Sequence, residues 1–377
     1  MWKVQLFELN YDGREEEAVA NVLKSRWITM GENTKTFEMK FGEFNGCRHL
    51  PTAVSSATAA LHMSLMALDI GHGDEVIISA LTFIADANVV KMVGASPVLA
   101  DVTSFSDWNI SARTIAERVT PNTKAVIIVH YGGVPCEMDE IVALCNDRRI
   151  ALIEDVAHAP GAEYKGIKCG NFGDLAAFSF FTNKNLSVGE GGMVIAKTEE
   201  LNERIKYLRS HGMSTLTLDR HKGRAITYDV MHPGLNYRMD EMRAALGLVQ
   251  LDKLSEANRE RKYLSERYSS LLSGTRVEIP FQDLTSKLSA YHIYPILLPE
   301  NINREILFNS LKEKGIQTSI HYPSIQSFTA YRDLKKYDTP VSETISQREL
   351  TLPLYPSMRT DQVDMVVENL IKALNEQ

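Results

Sequence analysis

Cysteine is scarce in this chain of 377 residues: there are four, Cys47, Cys136, Cys145 and Cys169, with no CxxC pair among them. That scarcity argues against a disulfide-stapled secreted scaffold and against a zinc finger, and it suits reduced, core-packed thiols in a cytoplasmic protein. Long apolar runs are absent too, and nothing approaches the roughly 18 uninterrupted apolar residues of a membrane span. The opening residues, MWKVQLFELNYDGREEEA, turn acidic where a signal peptide carries its apolar run, so export is not expected. Positive charge is in deficit, with 41 Lys and Arg against 48 Asp and Glu and a formal net charge of −7. Proteins that neutralise phosphodiester backbones carry the opposite balance, so nucleic acid is not an expected partner. A small anionic ligand stays open, because a few aimed donors outweigh net charge locally. Metal-ligand spacing is missing as well: His130, His158, His211, His232 and His321 are scattered, with no HxxxH or HExxH helix, so no metal is expected.

What is present is an ordinary globular composition, 44% apolar and 24% charged. The length suggests two or three structural units at roughly 100–200 residues each. Between about residues 50 and 200, helical patterns alternate with short runs rich in Val, Ile and Phe. The runs at 75–78, 97–101, 124–130, 150–155, 176–181 and 193–196 lack polar alternation, as strands buried on both faces do. A helical segment is expected at 58–68 ahead of them, and helical segments between several of them, such as 137–146, make βαβ units, which predicts a mostly parallel sheet. After Gly192 the texture changes. A charged helix is expected at 199–210, then a polar stretch at 213–233 without clear periodicity, then a long helix from Asp240 through Ser270. Beyond it come a strand (292–298), a helix (305–314), a short strand (317–321) and a last helix (360–375). The predicted fold is α/β, with a large domain over 1–250 and a smaller C-terminal α+β domain over 251–377.

The chemistry concentrates at strand ends, where open α/β sheets bind ligands. The run Ile153-Glu154-Asp155 leaves at least one carboxylate at the sheet edge, and His158 follows three residues later. The same residues would also suit a solvated turn with a helix-capping Asp. A second segment, Phe178 to Gly192, places a single Lys184 between a buried aromatic strand and a glycine-rich turn. A surface lysine beside a hairpin would read similarly, but a desolvated amine has a lowered pKa and supplies the nucleophile of Schiff-base chemistry. Taken together, a carboxylate, a flat imidazole and a buried amine suit pyridoxal phosphate (PLP). That cofactor needs a lysine and an acid to hold its ring nitrogen protonated. Ser179, Asn183 and the small-residue turn ahead of the Thr58 helix offer phosphate donors, the last at a helix N-terminus.

Eight stretches in register resemble the DegT/DnrJ/EryC1/StrS family of sugar aminotransferases, which have the type I PLP-dependent fold. They include GHGDEVIISALTFIADANVV (71–90), VHYGGVPCEMDEI (129–141), IEDVAHAPGAEYKG (153–166), GNFGDLAAFSFFTNKNLSVGEGGMV (170–194) and GLNYRMDEMRAALGLVQL (234–251). The remaining three are GASPVLADV (94–102), LRSHGM (208–213) and LTLPLYPSM (350–358). The resemblance implies that Lys184 holds the cofactor and Asp155 partners its pyridinium. It implies that His158 stacks on the ring, and that Ala57, Thr58 and Ser179 contact the phosphate. It further implies a homodimer, with Asn236 reaching the neighbouring subunit's phosphate, and places His321 and Tyr322 toward the sugar pocket. Two positions depart from the usual pattern: Ala57 stands where Gly is common, and His158 where many members have Gln. Some relatives replace the lysine with His and dehydrate a sugar carbon, so the intact Lys184 favours transamination. The implied substrates are an amino-acid donor, L-glutamate, and a nucleotide-linked keto-sugar, for surface glycans or glycosylated natural products. A cyclitol ketone substrate and a PLP-binding sensor without turnover are the alternatives.

Overall fold

The computed structural model describes residues 2–214, 223 and 227–377. Its centre is a seven-stranded sheet built from β1 (Thr52–Val54), β2 (Glu75–Ser79), β3 (Ser96–Ala100), β4 (Thr123–Val129) and β5 (Ala151–Asp155), with two later strands. Two minor strands, β6 (Glu163–Tyr164) and β7 (Ile167–Lys168), come before those last two, β8 (Leu175–Ser179) and β9 (Gly192–Ala196). The spatial order is β1-β9-β8-β5-β4-β2-β3. Pairing is parallel from β8 through β3, while β9 runs antiparallel to both its neighbours. The predicted mostly parallel α/β sheet is therefore the one found, and the six expected strands lie within two residues of their predicted bounds. What the sequence pattern did not reveal is β1, three residues long and fully buried.

Alternation along the strands assigns the two faces. Ile78, Ile127, Ile153 and Ala177 point to one side, where they pack with helices Ala57–Ala67 and Ala85–Met92. Ile77, Val126, Ile128 and Leu152 point to the other, against the helix Met138–Arg148. On that same side the neighbouring strands meet a third cluster, in which Phe178 and Met193 pack with Phe37, Phe41 and Leu254. Because both faces are covered, polar residues are confined to the two ends of these strands.

A second core collects Val4, Leu264, Tyr268, Leu272, Ile296, Leu307, Leu350, Leu352 and Leu370. Its sheet is a pair, β11 (Tyr294–Leu297) with β12 (Glu349–Leu352), antiparallel. A short β10 (Lys287–Leu288) joins β6 instead. The helix Glu241–Leu272 serves both cores and passes residue 250 without a break. Asp240 caps it, its Oδ1 accepting from the Arg243 N–H at 2.9 Å. The expected strand at 317–321 reduces to a single bridge between Ser319 and Thr351. The reason is that this segment divides its backbone donors among three partners: the Gln317 N–H goes to Val4 O, Ser319 to Thr351 O, and His321 to a Glu349 carboxylate oxygen. Part of the polar stretch at 213–233 lies outside the described residues.

One glycine fixes how the sheet meets its first helix. Gly192 pairs with both Val54 and Ser179 across β1, β9 and β8. A Cβ built there would lie 2.6 Å from the Ser56 carbonyl carbon and 2.7 Å from Phe178 O. Both obstacles are backbone, so neither can swing away. Gly192→Ala is expected to lower unfolding free energy by roughly 1–3 kcal/mol through overpacking. Urea unfolding measures this, and a midpoint equal to wild type would contradict the packing described.

Candidate active site

The same alternation that builds the core delivers the site. Asp155 continues the Ile153 side of β5, and Ser179 continues the Ala177 side of the adjacent β8. Both therefore end on the face that carries the helix Ala57–Ala67. Ser56 caps that helix by accepting the Ala59 N–H at 3.1 Å, and Gly192 lets its first turn sit against β8. The N–H groups at Ala57 and Thr58 belong to the turn that has no intrahelical acceptors, a ready anion cradle. Glu154, one residue from Asp155, faces the opposite way. It is fully buried and accepts the N–H groups of Gly170, Phe172 and Gly173 at 2.7–2.8 Å, with His130 Nε2 at 3.0 Å. One carboxylate of the pair holds a loop, and the other is left for the site.

Lys184 lies in the excursion between β8 and β9. Its N–H donates to Phe181 O at 2.9 Å, and Thr182 Oγ1 donates to the Gly189 carbonyl at 3.2 Å. Gly189, with φ of 86°, takes the left-handed turn that a side chain would strain. Burial pushes the Lys184 amine down to about 8, with the Asp155 carboxylate pulling the other way. Burial likewise raises Asp155, opposed by the Ala157 N–H at 2.8 Å and by the charges of Lys184 and His130.

Three imidazoles surround the same amine. His158 and His292 lie with ring centroids 4.4 Å apart, and His158 and His321 are 6.5 Å apart. Burial first, and Lys184's charge second, hold all three below the ordinary imidazole range. They are therefore neutral at physiological pH. The Gly132 N–H reaches His158 Nδ1 at 3.3 Å, so the His158 proton is on Nε2 and is donated to the Tyr322 hydroxyl at 2.8 Å. Tyr322 also faces the exposed Phe83 ring, with centroids 5.6 Å apart.

Asn183 and His292 contribute lone pairs. Asn185 Nδ2 donates to Asn258 Oδ1 and Ala290 O, so Asn185 Oδ1 accepts from His292 Nδ1 at 2.9 Å. That leaves His292 Nε2 an acceptor, buried and without a partner among the described residues, as is Asn183 Oδ1. Both residues line a cavity of about 20 Å³ with His321 and Thr351. Two larger grooves, of about 290 and 340 Å³, are lined by neither Lys184 nor Asp155.

Of the residues expected from sequence, Lys184, Asp155 and His158 share one electrostatic neighbourhood. Ala57, Thr58 and Ser179 cluster at the strand-to-helix edge beside them. Asn236 does not join them within the chain. Its segment is stitched to the outer edge of β1, through the Ser55 N–H to Tyr237 O at 2.8 Å and a bridge between Val54 and Arg238, while Asn236 itself bridges Ser210 and is exposed. Sequence reasoning missed His292, Phe83 and Asp86. The last two sit in the stretch after β2, at a strand end that was legible, while His292 comes from 139 residues beyond Ile153 and gave no local signal.

A family model described as the DegT/DnrJ/EryC1/StrS aminotransferase family matches residues 10–371. The chain belongs to that family. It is 39% identical to the uncharacterized protein MJ1066 of Methanocaldococcus jannaschii over 97% of this chain and 96% of that one. Among solved structures it is similar to Spr1654 of Streptococcus pneumoniae in its PMP form, with TM-score 0.92, 28% identity, and coverage of 100% and 99% of the two chains. It is equally similar to Helicobacter pylori PseC, an aminotransferase involved in the biosynthesis of pseudoaminic acid, with TM-score 0.92, 28% identity, and coverage of 99% and 100%. These relations identify a PLP-dependent transaminase of the type I fold. The residues present fit the cofactor: a desolvated amine facing a carboxylate, a helix N-terminus cleared by Gly192, and the bare Asn183 oxygen.

Amine-selective acylation of the cofactor-free protein, read by peptide mass at Lys184, tests the electrostatics. The reactive neutral amine is expected to appear as pH rises through about 8. Asp155→Asn should move that midpoint to lower pH, because the carboxylate that supports the ammonium is gone. A wild-type midpoint near the ordinary 10.5 would contradict the desolvated placement.

Proposed function

We propose that this enzyme moves an amino group from an amino acid, L-glutamate, to the carbonyl carbon of a nucleotide-linked keto-sugar, giving an amino-sugar. The observation that carries the reading is the Lys184 amine, lowered to about 8 beside the Asp155 carboxyl, at the mouth of a helix N-terminus. PLP supplies an electron sink for the carbanion at the substrate carbon when bound. Lys184, part neutral near physiological pH, takes the proton from the donor's α-carbon and later returns one to the sugar carbon. Asp155 holds positive charge on the cofactor's ring nitrogen through a charge-assisted hydrogen bond. Ala57, Thr58 and Ser179, with Asn183 through its amide N–H groups, would hold the phosphate, and His158 would lie against the ring. His321 and Tyr322 bound the sugar side.

The roles of related proteins support the sugar substrate. PseC is involved in the biosynthesis of pseudoaminic acid, and DesV of S. venezuelae was solved in complex with a ketimine intermediate. Exposure of Asn236 at the β1 edge supports a homodimer in which Asn236 of the partner subunit completes each phosphate site. A reducing, cytoplasmic setting is supported by four free thiols and by the lack, among the described residues, of a helix long and apolar enough to cross a membrane.

Purified enzyme supplied with glutamate and a panel of nucleotide-linked keto-sugars is expected to release 2-oxoglutarate with some of them. Turnover with inososes alone would instead make the acceptor a cyclitol ketone. Lys184→Ala should lower kcat by a factor of about 10²–10⁴ or more, the scale of a lost acid–base group. Mixing inactive Lys184→Ala subunits with inactive Asn236→Ala subunits should restore activity, because one site of each mixed dimer then carries both native residues. Absence of recovery on mixing would contradict the composite site.

A further inference from the structure

Asp86 lies in the first turn of the helix Ala85–Met92, behind the end of β2, and is 1% exposed. Its Oδ2 accepts from Thr82 Oγ1 at 2.6 Å. Its Oδ1 is buried and meets no N–H or hydroxyl donor among the described residues. Asp155 is the neighbouring carboxyl that bears on Asp86, by charge and by side-chain contact. Two carboxyl groups in such contact away from water cannot both be ionised, so the pair holds a proton.

The surroundings decide where that proton rests. Asp155 receives the Ala157 N–H and lies in the field of Lys184 and His130. Asp86 has the Thr82 hydroxyl alone, and the nearby Tyr322 phenol, raised well above its ordinary range by burial and by Asp155 and Asp86, brings no positive charge. Anionic charge is therefore favoured on Asp155 and disfavoured on Asp86. Burial pushes both carboxyls up.

We propose that Asp86 is a positioning residue for Asp155: its protonated carboxyl donates to the Asp155 carboxylate and keeps Asp155 the one anion of the pair, available to the cofactor's ring nitrogen. This rests on the reading of Asp155 as pyridinium partner. An amide at position 86 retains the donor. A methyl removes it, leaving Asp155 a buried carboxyl that takes up a proton and loses its hold on a cation.

Three variants, Asp86→Asn, Asp86→Ala and Asp155→Ala, separate these ideas. In the cofactor-free protein near neutral pH, infrared spectra of wild type should contain a protonated-carboxyl band that Asp86→Asn lacks. Equilibrium titration with PLP should find Asp86→Asn within about threefold of wild type and Asp86→Ala weaker by roughly ten- to a hundredfold, the worth of one charged hydrogen bond. The Asp86→Ala loss should be greatest at low pH and shrink as pH rises, because Asp155 then ionises unaided. A role confined to helix stability would weaken binding equally at every pH, and that result would overturn the proposal, as would an unchanged infrared band. Wild-type affinity in Asp86→Ala beside crippled Asp155→Ala would overturn the proposal alone. Wild-type affinity and turnover in Asp155→Ala would overturn it together with the Asp155 reading.

Discussion

The site depends on one desolvated corner shared by an amine and a carboxyl. Burial drives each group toward its neutral form, lowering Lys184 and raising Asp155; Asp155 supports the ammonium, and the Ala157 N–H followed by Lys184 supports the carboxylate. Neither would sit in the chemically useful range alone: an exposed lysine would stay protonated, and an isolated buried aspartate would hold its proton. The fold supplies the burial. Asp155 and Ser179 end adjacent parallel and aligned strands on one face, and Lys184 returns over them in the link to the single antiparallel strand of that sheet.

Neighbouring residues of the same chemistry part ways for geometric reasons. Glu154 and Asp155 are both buried acids, yet strand alternation sends Glu154 into a ring of backbone donors and Asp155 into the site. A carboxylate that accepts three N–H groups and an imidazole proton is satisfied and structural. One that accepts a single N–H has capacity left for a ligand. The same logic applies to the histidines. His130 has both nitrogens engaged, by Cys136 and Glu154, whereas His292 keeps a bare Nε2 beside the small cavity.

Much of this was legible in the sequence. Strands buried on both faces announce themselves as short Val/Ile/Phe runs, so six of the seven sheet strands could be read directly. Strand β1 could not, because three residues hold no periodicity. The lysine and aspartate were legible because polar residues stand out at the ends of apolar runs. His292 and Tyr322 were harder, since they come from segments far along the chain whose approach depends on tertiary packing. The segment at 317–321 has strand composition but shares its donors among three partners, a competition no local pattern encodes. Asp86 lay in a quoted stretch, but its meaning comes from touching Asp155, 69 residues away.

Borohydride reduction of the PLP-saturated protein, followed by peptide mapping, addresses the covalent link most directly. A single pyridoxyl-labelled peptide carrying Lys184 is the predicted result. Label on another lysine, or none retained after reduction, would contradict the assignment of this amine as the cofactor's attachment point.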